Sequence, residues 1–342
     1  MKVGVIGCGM IAKKAHMPAY KSLENVELIA VSDNNEQRAQ SCAKEFGVKK
    51  YFSDYRELLK EDLDLVSICT PNFTHAQITK EAAQAGVHVL VEKPMATSLK
   101  EADEMLTACK ENNVKLCVLH NLRFTPCLID AKRRIDNGRI GRIISIQATK
   151  YGLIPMSWSP ESWFYYKWGL LDDIGYHILD VINFLCDSPL ENVQVVATDF
   201  TKNMDCLNYI LSVMHFRNNA TAALDLSWVS GCVESSIKIQ GTCGLLNIDV
   251  RNDHIQEIHG YSTPLEDLKS NLSKSFKTMG KALNRSYFKG ALLYHKLIIA
   301  DYISSINNGK EPPIPGEEGR KAIVLMDAIK RSLNDSEKIA RE

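Results

Sequence analysis

The sequence lacks an excess of either charge, and it lacks long apolar runs. Lysine plus arginine and aspartate plus glutamate each number 41 among the 342 residues, so the formal net charge is zero. A neutral chain has no overall field that attracts nucleic acid or an anionic membrane surface. No apolar run approaches the ~20 residues that a membrane-spanning helix needs. We therefore expect neither a nucleic-acid partner nor a membrane span.

Paired cysteines are also missing. The ten cysteines are scattered singly, with no CxxC pair and no zinc-ligand spacing. Cys8, Cys69 and Cys117 lie in apolar runs, where a thiol packs as a small hydrophobe. The chain opens on a strand pattern rather than on a signal peptide. These features favour a reducing, cytoplasmic environment, and they predict no metal site.

The first residues, MKVGVIGCGMIA, have the pattern of a nucleotide-binding turn. Lys2 to Ile6 alternates small and β-branched apolar residues as a buried parallel strand does. Gly7 permits a tight turn, Gly9 lets the backbone approach a pyrophosphate, and Ala12 lets a helix pack closely on the strand. The free N–H groups at the start of that helix favour phosphate. A structural turn without a ligand is the alternative interpretation.

A second predicted strand, Val26 to Asp33, ends in a carboxylate. It follows the glycines at about the spacing that Rossmann folds use to bind the ribose hydroxyls. A carboxylate there accepts hydrogen bonds from both hydroxyls and repels a 2′-phosphate, so NAD is favoured over NADP. Arg38 is close enough in sequence to weaken this preference.

The first third of the chain alternates strands with helices, which is typical of a doubly wound parallel sheet. Helices are predicted at 36–46, 55–59, 75–85 and 98–112, with strands at 51–52, 63–69, 87–91 and 115–119. Two of these strands run into Thr70-Pro71-Asn72 and Glu92-Lys93-Pro94. Both motifs therefore fall at the carboxyl edge of the sheet, where open α/β sheets bind ligands.

Beyond about residue 121 the pattern changes to strands joined by short turns. After helices at 130–137 and 173–185 and a strand at 142–150, six strands are predicted between 193 and 258. The expected fold is therefore α/β: a Rossmann domain over 1–121, then an α+β domain over 122–342 with a large, mostly antiparallel, open-faced sheet. The final helix can pack back on the first domain. Because a second subunit often closes such a sheet face, a homodimer or homotetramer is expected.

Several motifs together resemble the Gfo/Idh/MocA (glucose-fructose oxidoreductase / inositol dehydrogenase) family. They are Gly7-Cys8-Gly9-Met10-Ile11-Ala12, Asp33, Cys69-Thr70-Pro71-Asn72 with His75, Glu92-Lys93-Pro94 and Asp173-Ile174-Gly175-Tyr176-His177. The resemblance covers nearly the whole chain and implies an NAD(P)-dependent dehydrogenase acting on CH–OH groups. The expected cofactor-binding residues are Gly7, Gly9, Met10, Ile11, Asp33, Thr70, Pro71, Asn72, His75, Glu92 and Lys93. For Asn72 and His75, a helix cap and a surface histidine are the alternatives.

Lys93 is the first expected catalytic residue. It follows a buried strand, so its ammonium emerges at the ligand edge, where it can hydrogen-bond a hydroxyl and stabilise alkoxide character. A surface lysine paired with Glu92 is the alternative, and the resemblance favours the catalytic role. The resemblance also implies a cis peptide bond before Pro94.

Asp173 and His177 complete the expected catalytic set. They are four residues apart at the start of an otherwise apolar helix, so they share a face. An imidazole with an ordinary pKa near ~6.5 can accept a hydroxyl proton at neutral pH, so His177 is the expected general base. Asp173 is expected to orient the base or the substrate, and Asp180 to be structural. A structural role for His177 is the alternative, and a metal site with both aspartates lacks a second histidine or cysteine at ligand spacing.

The expected substrate-binding residues are Arg123, Tyr151, Trp163, Asp173 and His177. Arg123 resembles the substrate-side arginine of the family, and a structural ion pair explains it equally well. Tyr151 and Trp163 belong to an aromatic cluster, whose other members are Trp158, Tyr165, Tyr166 and Trp168. Aromatic faces stack on sugar C–H groups, and domain packing is the alternative role.

A basic amphipathic helix is predicted between 265 and 289, where apolar residues recur at helical spacing and lysines occupy the other faces. The ordinary interpretation is a helix packed on the sheet with a solvated lysine face. Binding of an anionic substrate, a partner or a membrane surface is the alternative.

The sequence as a whole predicts an NAD-dependent dehydrogenase acting on a secondary alcohol of a sugar, cyclitol or sugar nucleotide, with the nicotinamide between the domains. Two alternatives remain open. One is a redox-neutral enzyme that holds NAD tightly, either glycosidase-like or a sugar–sugar oxidoreductase. The other is a non-enzymatic, dinucleotide-sensing regulator, against which the presence of both Lys93 and His177 argues.

Overall fold

The computed structural model describes residues 1–153, 166–200, 206–260, 268–269, 271–276, 279 and 287–339. The chain divides into two compact units. The first comprises Met1–Asn121 and Phe288–Ile323, and the second comprises Leu122–Tyr287 and Val324–Glu342. None of the described helices is both long enough and apolar enough to cross a membrane.

The first unit is built on a six-stranded parallel sheet in the part of the chain that the structure describes. Its strands are β1 (Lys2–Ile6), β2 (Glu27–Ser32), β3 (Lys50–Phe52), β4 (Leu65–Ile68), β5 (His88–Val91) and β6 (Leu116–Val118). Their order is β3-β2-β1-β4-β5-β6, so the winding reverses between β1 and β4. Doubly wound sheets bind ligands outside the carboxyl ends of the strands at such a reversal. The predicted parallel sheet is confirmed.

Short helices connect these strands. They are α1 (Met17–Lys21), α2 (Glu36–Phe46), α3 (Tyr55–Leu58), α4 (His75–Gln84) and α5 (Leu99–Glu111). A π-helical turn, Ala12–His16, runs into α1, and a 3₁₀ turn, Asn72–Thr74, runs into α4. Local chemistry fixes α2, because the Asn35 side chain caps its first turn and Gly47 adopts the left-handed conformation, with φ 64°, at its end.

The second unit contains a seven-stranded, mostly antiparallel sheet in its described residues, as the sequence predicts. Its strands are β7 (Ile143–Tyr151), β8 (Leu190–Thr198), β9 (Tyr209–Phe216), β10 (Thr221–Ser227), β11 (Glu234–Gly241), β12 (Leu245–Asp249) and β13 (His254–Ile258). They follow the order β13-β12-β11-β7-β10-β9-β8, in which β7 and β10 pair in parallel.

Among the described residues, α6 (Pro126–Asp136) precedes β7 and α7 (Tyr176–Cys186) follows it. A 3₁₀ turn, Asn121–Phe124, comes before α6, and a π-helical turn, Leu171–Gly175, leads into α7. The predicted start of α6 at residue 130 is wrong, because Pro126 occupies the first turn, where its missing N–H has no partner in the helix.

The two faces of this sheet differ in how deeply their side chains are buried. Alternate residues of β7 and β10, among them Ile146 and Leu224, are fully buried on the face that α7 contacts. On the opposite face, Val196 and Val213 are 63% and 48% exposed. In the part of the chain that the structure describes, the sheet therefore presents exposed apolar side chains on this opposite face.

The chain ends in two long helices, α8 (Tyr287–Asn307) and α9 (Gly316–Ile339). The segment Phe288–Ile323 belongs to the first unit, whereas the predicted second domain was the continuous range 122–342. Tyr302 is fully buried and its hydroxyl donates to the Lys115 carbonyl at 2.7 Å. The Val118 N–H donates to the Ile314 carbonyl at 3.0 Å. Each of these bonds joins residues that are far apart in sequence, so the strand and helix pattern does not predict them.

Candidate functional site

Gly7 is required by the backbone of the turn after β1. Its φ is 93°, a conformation that residues with a side chain rarely adopt. A Cβ built there would lie 2.5 Å from the Cys69 carbonyl oxygen, well inside contact distance. The turn can therefore pass beside the end of β4 only with glycine at this position.

Gly9 has a different reason to lack a side chain. A Cβ built on Gly9 would meet no atom within 4 Å, so packing within the protein does not explain the missing side chain. Helical residues begin directly afterwards at Met10, whose side chain is 64% exposed, and Ile11 is half-buried. An open backbone at the start of a helix is the shape and polarity that a pyrophosphate needs. The turn therefore fits the diphosphate of a dinucleotide.

Asp33 follows β2 beside this turn, and its carboxylate is held by backbone donors. Its Oδ2 accepts from the Cys8 N–H at 2.9 Å, and its Oδ1 accepts from the Asn35 N–H at 2.9 Å. The Arg38 Nη1 lies 3.4 Å from Oδ1. A carboxylate has further lone pairs beyond these contacts, so Asp33 can still accept from ribose hydroxyls. Arg38, whose side chain is half-exposed, is the neighbour that bears on the choice between NAD and NADP.

The loop after β4 is tied to the loop after β5 by His75. The His75 ring is buried, with Nδ1 2.8 Å from the Pro94 carbonyl oxygen and Nε2 2.9 Å from the Thr70 carbonyl oxygen. Burial lowers the pKa of His75, and the two carbonyls act in the opposite direction. Thr74 also donates to the Thr70 hydroxyl at 2.7 Å. His75 therefore supports both loops from inside, and cofactor contact by His75, Thr70, Pro71 or the buried Asn72 stays a prediction.

Lys93 lies at the carboxyl edge of the sheet, immediately after β5. The Glu92 N–H donates to the Ile68 carbonyl at 3.0 Å, which continues the ladder with β4. Lys93 is half-buried, and the next residues, Pro94 to Ala96, are buried. The peptide bond between Lys93 and Pro94 is cis, as the resemblance implies. The backbone is hydrogen-bonded at Glu92 and buried from Pro94 to Ala96, and this fixes the position of the Lys93 Cα.

Glu92 has partners that no sequence pattern indicates. Its Oε1 lies 2.8 Å from the His16 Nε2 and 3.5 Å from the His295 Nε2, and its Oε2 accepts from the Lys93 N–H at 3.2 Å. Burial opposes the charged carboxylate, but the hydrogen bonds from the two histidines hold the pKa of Glu92 well below its usual range. Glu92 is thus built into the interior of the unit, and its expected contact with cofactor stays a prediction.

These three side chains also have the donor types of a metal site. Their nearest ligand atoms lie within 4.8 Å of one another, which makes them the candidate cluster among the described residues. Imidazole and carboxylate ligands suit several divalent metals. However, the His16 to Glu92 separation of 2.8 Å is that of a direct hydrogen bond, which already uses both atoms.

Asp173 and His177 lie at the junction of the π-helical turn and α7. Both are half-buried, whereas Ile178, Leu179 and most of α7 are buried. A Cβ on Gly175 would lie 2.7 Å from the Leu226 Cδ1, so glycine lets this junction pack against β10. Single π turns are frequent at functional sites. Asp173 and His177 are therefore partly exposed to solvent, whereas most of α7 is buried in the core.

A neighbouring ion pair anchors the same turn. Asp172 is buried, with its Oδ1 2.8 Å from the Lys330 Nζ and its Oδ2 accepting from the Tyr166 hydroxyl. The Lys330 side chain is itself mostly buried. The pairing joins α9 to the π-helical turn, and no sequence pattern indicated it, because it depends on residues far apart in the chain.

Arg123 forms an ion pair with Asp180 in the second unit. Its Nε lies 3.0 Å from both carboxylate oxygens, and its Nη2 donates to Oδ1 at 2.6 Å. The guanidinium also lies over the Phe184 ring, 4.9 Å from its centroid. Both charged side chains are buried. This geometry favours the structural ion pair over the predicted contact with substrate, and it agrees with the structural role expected for Asp180.

We expect Arg123→Met to lower the free energy of unfolding by about 3–5 kcal/mol, because it leaves the Asp180 carboxylate buried without its partner. The double variant Arg123→Met/Asp180→Leu should recover most of that loss. Urea unfolding measures both. Arg133→Met is the matched control, since Arg133 forms an exposed pair with Asp130 on α6. An Arg123→Met protein of unchanged stability but raised KM would instead support the substrate role.

Tyr151 lies on a different face from the Asp173 and His177 helix. Its hydroxyl donates to the Asp225 Oδ2 at 2.7 Å, and that bond, together with burial, raises the pKa of Tyr151. By strand alternation, both residues lie on the face opposite the buried Ala148 and Leu224. Tyr151 is thus on the sheet face opposite the one that α7 contacts, and its contact with substrate stays a prediction. Trp163, with Trp158 and Tyr165, lies outside the described residues, as does much of the predicted basic helix.

Comparison with known proteins agrees with this architecture. Residues 1–120 match the family described as "Oxidoreductase family, NAD-binding Rossmann fold", and residues 128–247 match the GFO/IDH/MocA C-terminal domain. Myo-inositol 2-dehydrogenase of Thermotoga maritima is 24% identical over 100% of this chain and 99% of that protein. Levoglucosan dehydrogenase of Pseudarthrobacter phenanthrenivorans is 34% identical over 54% of this chain and 51% of that protein, so this match spans about half of its length.

A solved structure shows the same fold over nearly the full length. The WlbA dehydrogenase from Bordetella pertussis, in complex with NADH and UDP-GlcNAcA, is 26% identical with a TM-score of 0.84. The superposition covers 98% of this chain and 96% of that one. With both domains matched in order, the chain belongs to the Gfo/Idh/MocA family of oxidoreductases.

Proposed function

We propose that this protein is an NAD-dependent dehydrogenase that oxidises a secondary alcohol of a sugar, a cyclitol or a sugar nucleotide. The relatives support each substrate class by name: levoglucosan and myo-inositol for the curated proteins, and UDP-GlcNAcA for the solved complex. The family supports the oxidoreductase chemistry.

The residues that would hold NAD lie in the first unit. The Gly9 backbone and the helix start at Met10 would receive the pyrophosphate, and Asp33 would accept from the adenosine ribose hydroxyls. The loops Thr70-Pro71-Asn72 and Glu92-Lys93-Pro94 would flank the nicotinamide end. When bound, NAD supplies the acceptor for the hydride.

Lys93, His177 and Asp173 would carry the proton chemistry of the same reaction. The His177 imidazole would take the hydroxyl proton as the C–H bond of the substrate breaks. The Lys93 ammonium would donate a hydrogen bond to the same oxygen and stabilise its developing negative charge. Asp173 would orient His177 or a substrate hydroxyl. In the reverse direction, His177 would return the proton to the oxygen.

The observation that carries the proposal is the arrangement along one sheet edge. Gly9, Asp33 and Lys93 follow β1, β2 and β5, and all three strands are parallel. Their carboxyl ends therefore bring the open backbone of Gly9, the Asp33 carboxylate and the Lys93 residue to the same edge.

The proposal is tested by incubating the purified protein and NAD with myo-inositol, levoglucosan, glucose 6-phosphate and UDP-GlcNAcA while following NADH absorbance. At least one substrate should give sustained NADH formation. Tightly bound NAD without net NADH formation would instead indicate a redox-neutral enzyme. NAD binding without turnover of any kind would indicate a regulator.

We propose NAD rather than NADP as the physiological cofactor, and Asp33→Ser tests the choice. Losing charge-assisted hydrogen bonds to the ribose should lower kcat/KM for NAD by about 10- to 100-fold. NADP should improve, because the repelling carboxylate is gone and Arg38 remains nearby. Steady-state kinetics with both cofactors measure the ratio. Asp54→Ser, at the N-cap of α3, is the matched control; an unchanged ratio in Asp33→Ser would contradict the assignment.

We further propose that the exposed sheet face of the second unit is covered by another copy of the chain, giving a homodimer or homotetramer. The exposure of Val196 and Val213 on adjacent strands supports this. A cytoplasmic location is proposed from the scattered, unpaired cysteines.

A further inference from the structure

Five buried polar side chains form a connected cluster in the interior of the first unit. They come from separate elements of the first unit and are Tyr20, His16, Ser67, Glu92 and His295. The Tyr20 hydroxyl lies 2.5 Å from the Ser67 Oγ, and the Ser67 Oγ lies 3.1 Å from the His16 Nδ1. The other ring nitrogen of His16 contacts Glu92 at 2.8 Å. The cluster therefore ends on the residue that directly precedes Lys93.

The hydrogen-bonding capacities match if His16 is neutral. The Tyr20 hydroxyl donates to Ser67, the Ser67 hydroxyl donates to Nδ1 of His16, and Nε2–H of His16 donates to Glu92. Burial lowers the pKa of His16, which favours this neutral form despite the nearby carboxylate. His295 supplies a second contact to Glu92 at 3.5 Å. A buried carboxylate is tolerated only when such partners satisfy it.

We propose that this cluster, completed by His295 from α8, is a positioning device for Lys93. The link is the second oxygen of Glu92, which accepts the Lys93 N–H at 3.2 Å. With Oε1 held by the histidines, Oε2 is fixed and so is the backbone from which the Lys93 side chain departs. His16, Ser67, Glu92 and His295 are thus positioning residues, and the inference rests on the catalytic role proposed for Lys93.

The experiment compares His295→Leu with His295→Gln, since glutamine keeps an N–H donor near Nε2 and leucine does not. His88→Leu is the matched control: His88 accepts the Lys115 N–H at 3.0 Å at the opposite, amino end of β5. Ser67→Ala removes a single oxygen from the cluster and serves if His295→Leu fails to fold. The readouts are hydrogen exchange at the Lys93 amide, the Kd for NADH, and kcat and KM with the panel substrate that the wild type oxidises fastest.

In His295→Leu, the Lys93 amide should exchange at least about tenfold faster. A small misplacement of the ammonium should lower kcat by roughly 10- to 100-fold. KM and the Kd for NADH should stay within about threefold, since the contacts proposed at Gly9 for the pyrophosphate and at Asp33 for the ribose lie elsewhere on the sheet edge. Ser67→Ala should shift exchange and kcat in the same direction, and His295→Gln should restore both.

Three results would overturn the inference. His295→Gln could fail to restore kcat, His88→Leu could reproduce the loss, or the wild type could contain a stoichiometric metal ion that both His295 variants lose. Exchange at Lys93 needs no substrate, so the positioning effect is measurable even if the panel shows no dehydrogenase activity and the proposed function fails.

Discussion

Lys93→Met is expected to retain NADH binding and to lose kcat by about 1,000-fold, the scale of removing one donor to a developing oxyanion. Methionine keeps the apolar length of the lysine stem and removes the ammonium, so the half-buried position stays filled. Fluorescence titration with NADH and steady-state oxidation of the best panel substrate measure the two quantities. The effect should fall on kcat rather than on cofactor affinity.

Lys80→Met provides the control for this experiment. Lys80 lies in the same unit, is partly buried, and pairs with Glu104 at 2.7 Å on neighbouring helices. Its replacement should leave kcat unchanged, because a partly exposed ion pair contributes little. A Lys93→Met protein with near-normal kcat would show that the ammonium after β5 has no part in the chemistry.

His177→Asn is expected to lower kcat between about 100-fold and 10,000-fold, the usual contribution of general acid–base catalysis. Asparagine keeps a polar side chain at the half-exposed position but cannot accept and hold a proton. The acid limb of the kcat/KM profile should disappear with the imidazole. Rates measured across the pH range from 5 to 9 with the best panel substrate test both expectations.

His215→Asn is the matched control in the second unit. His215 is also partly exposed, lies on the same sheet face as Val213, and pairs with Glu191 at 2.9 Å. Its loss should change neither kcat nor the pH profile. An acid limb that persists in His177→Asn would assign the proton acceptor to another group.

The parts of the fold set by neighbouring residues could be predicted from the sequence. The bounds of α2, 36–46, were predicted correctly because Asn35 and Gly47 are local start and stop signals. The predicted parallel sheet followed from alternating strand and helix patterns. Gly7 was placed in its turn for the same reason, since its positive φ is a property of that one position.

What the sequence could not reveal are contacts between distant residues. The ion pair between Asp172 and Lys330 and the contact of His295 with Glu92 each join segments far apart along the chain. Arg123 illustrates the same limit, because only the fold brings its guanidinium to the Asp180 carboxylate. Strand alternation decides the sheet face on which Tyr151 lies, and the sequence alone does not say which face is covered. A contact between Tyr151 and substrate therefore stays a prediction.

The proposed mechanism requires Lys93 and His177 to act in a single hydride-transfer reaction. The most direct test is kcat for NAD reduction in Lys93→Met, His177→Asn and the double variant, with the same panel substrate. If both residues serve one transition state, the double variant should be scarcely slower than the slower single variant. If the two fold-losses of kcat multiply in full, the residues act independently and the proposed mechanism is contradicted.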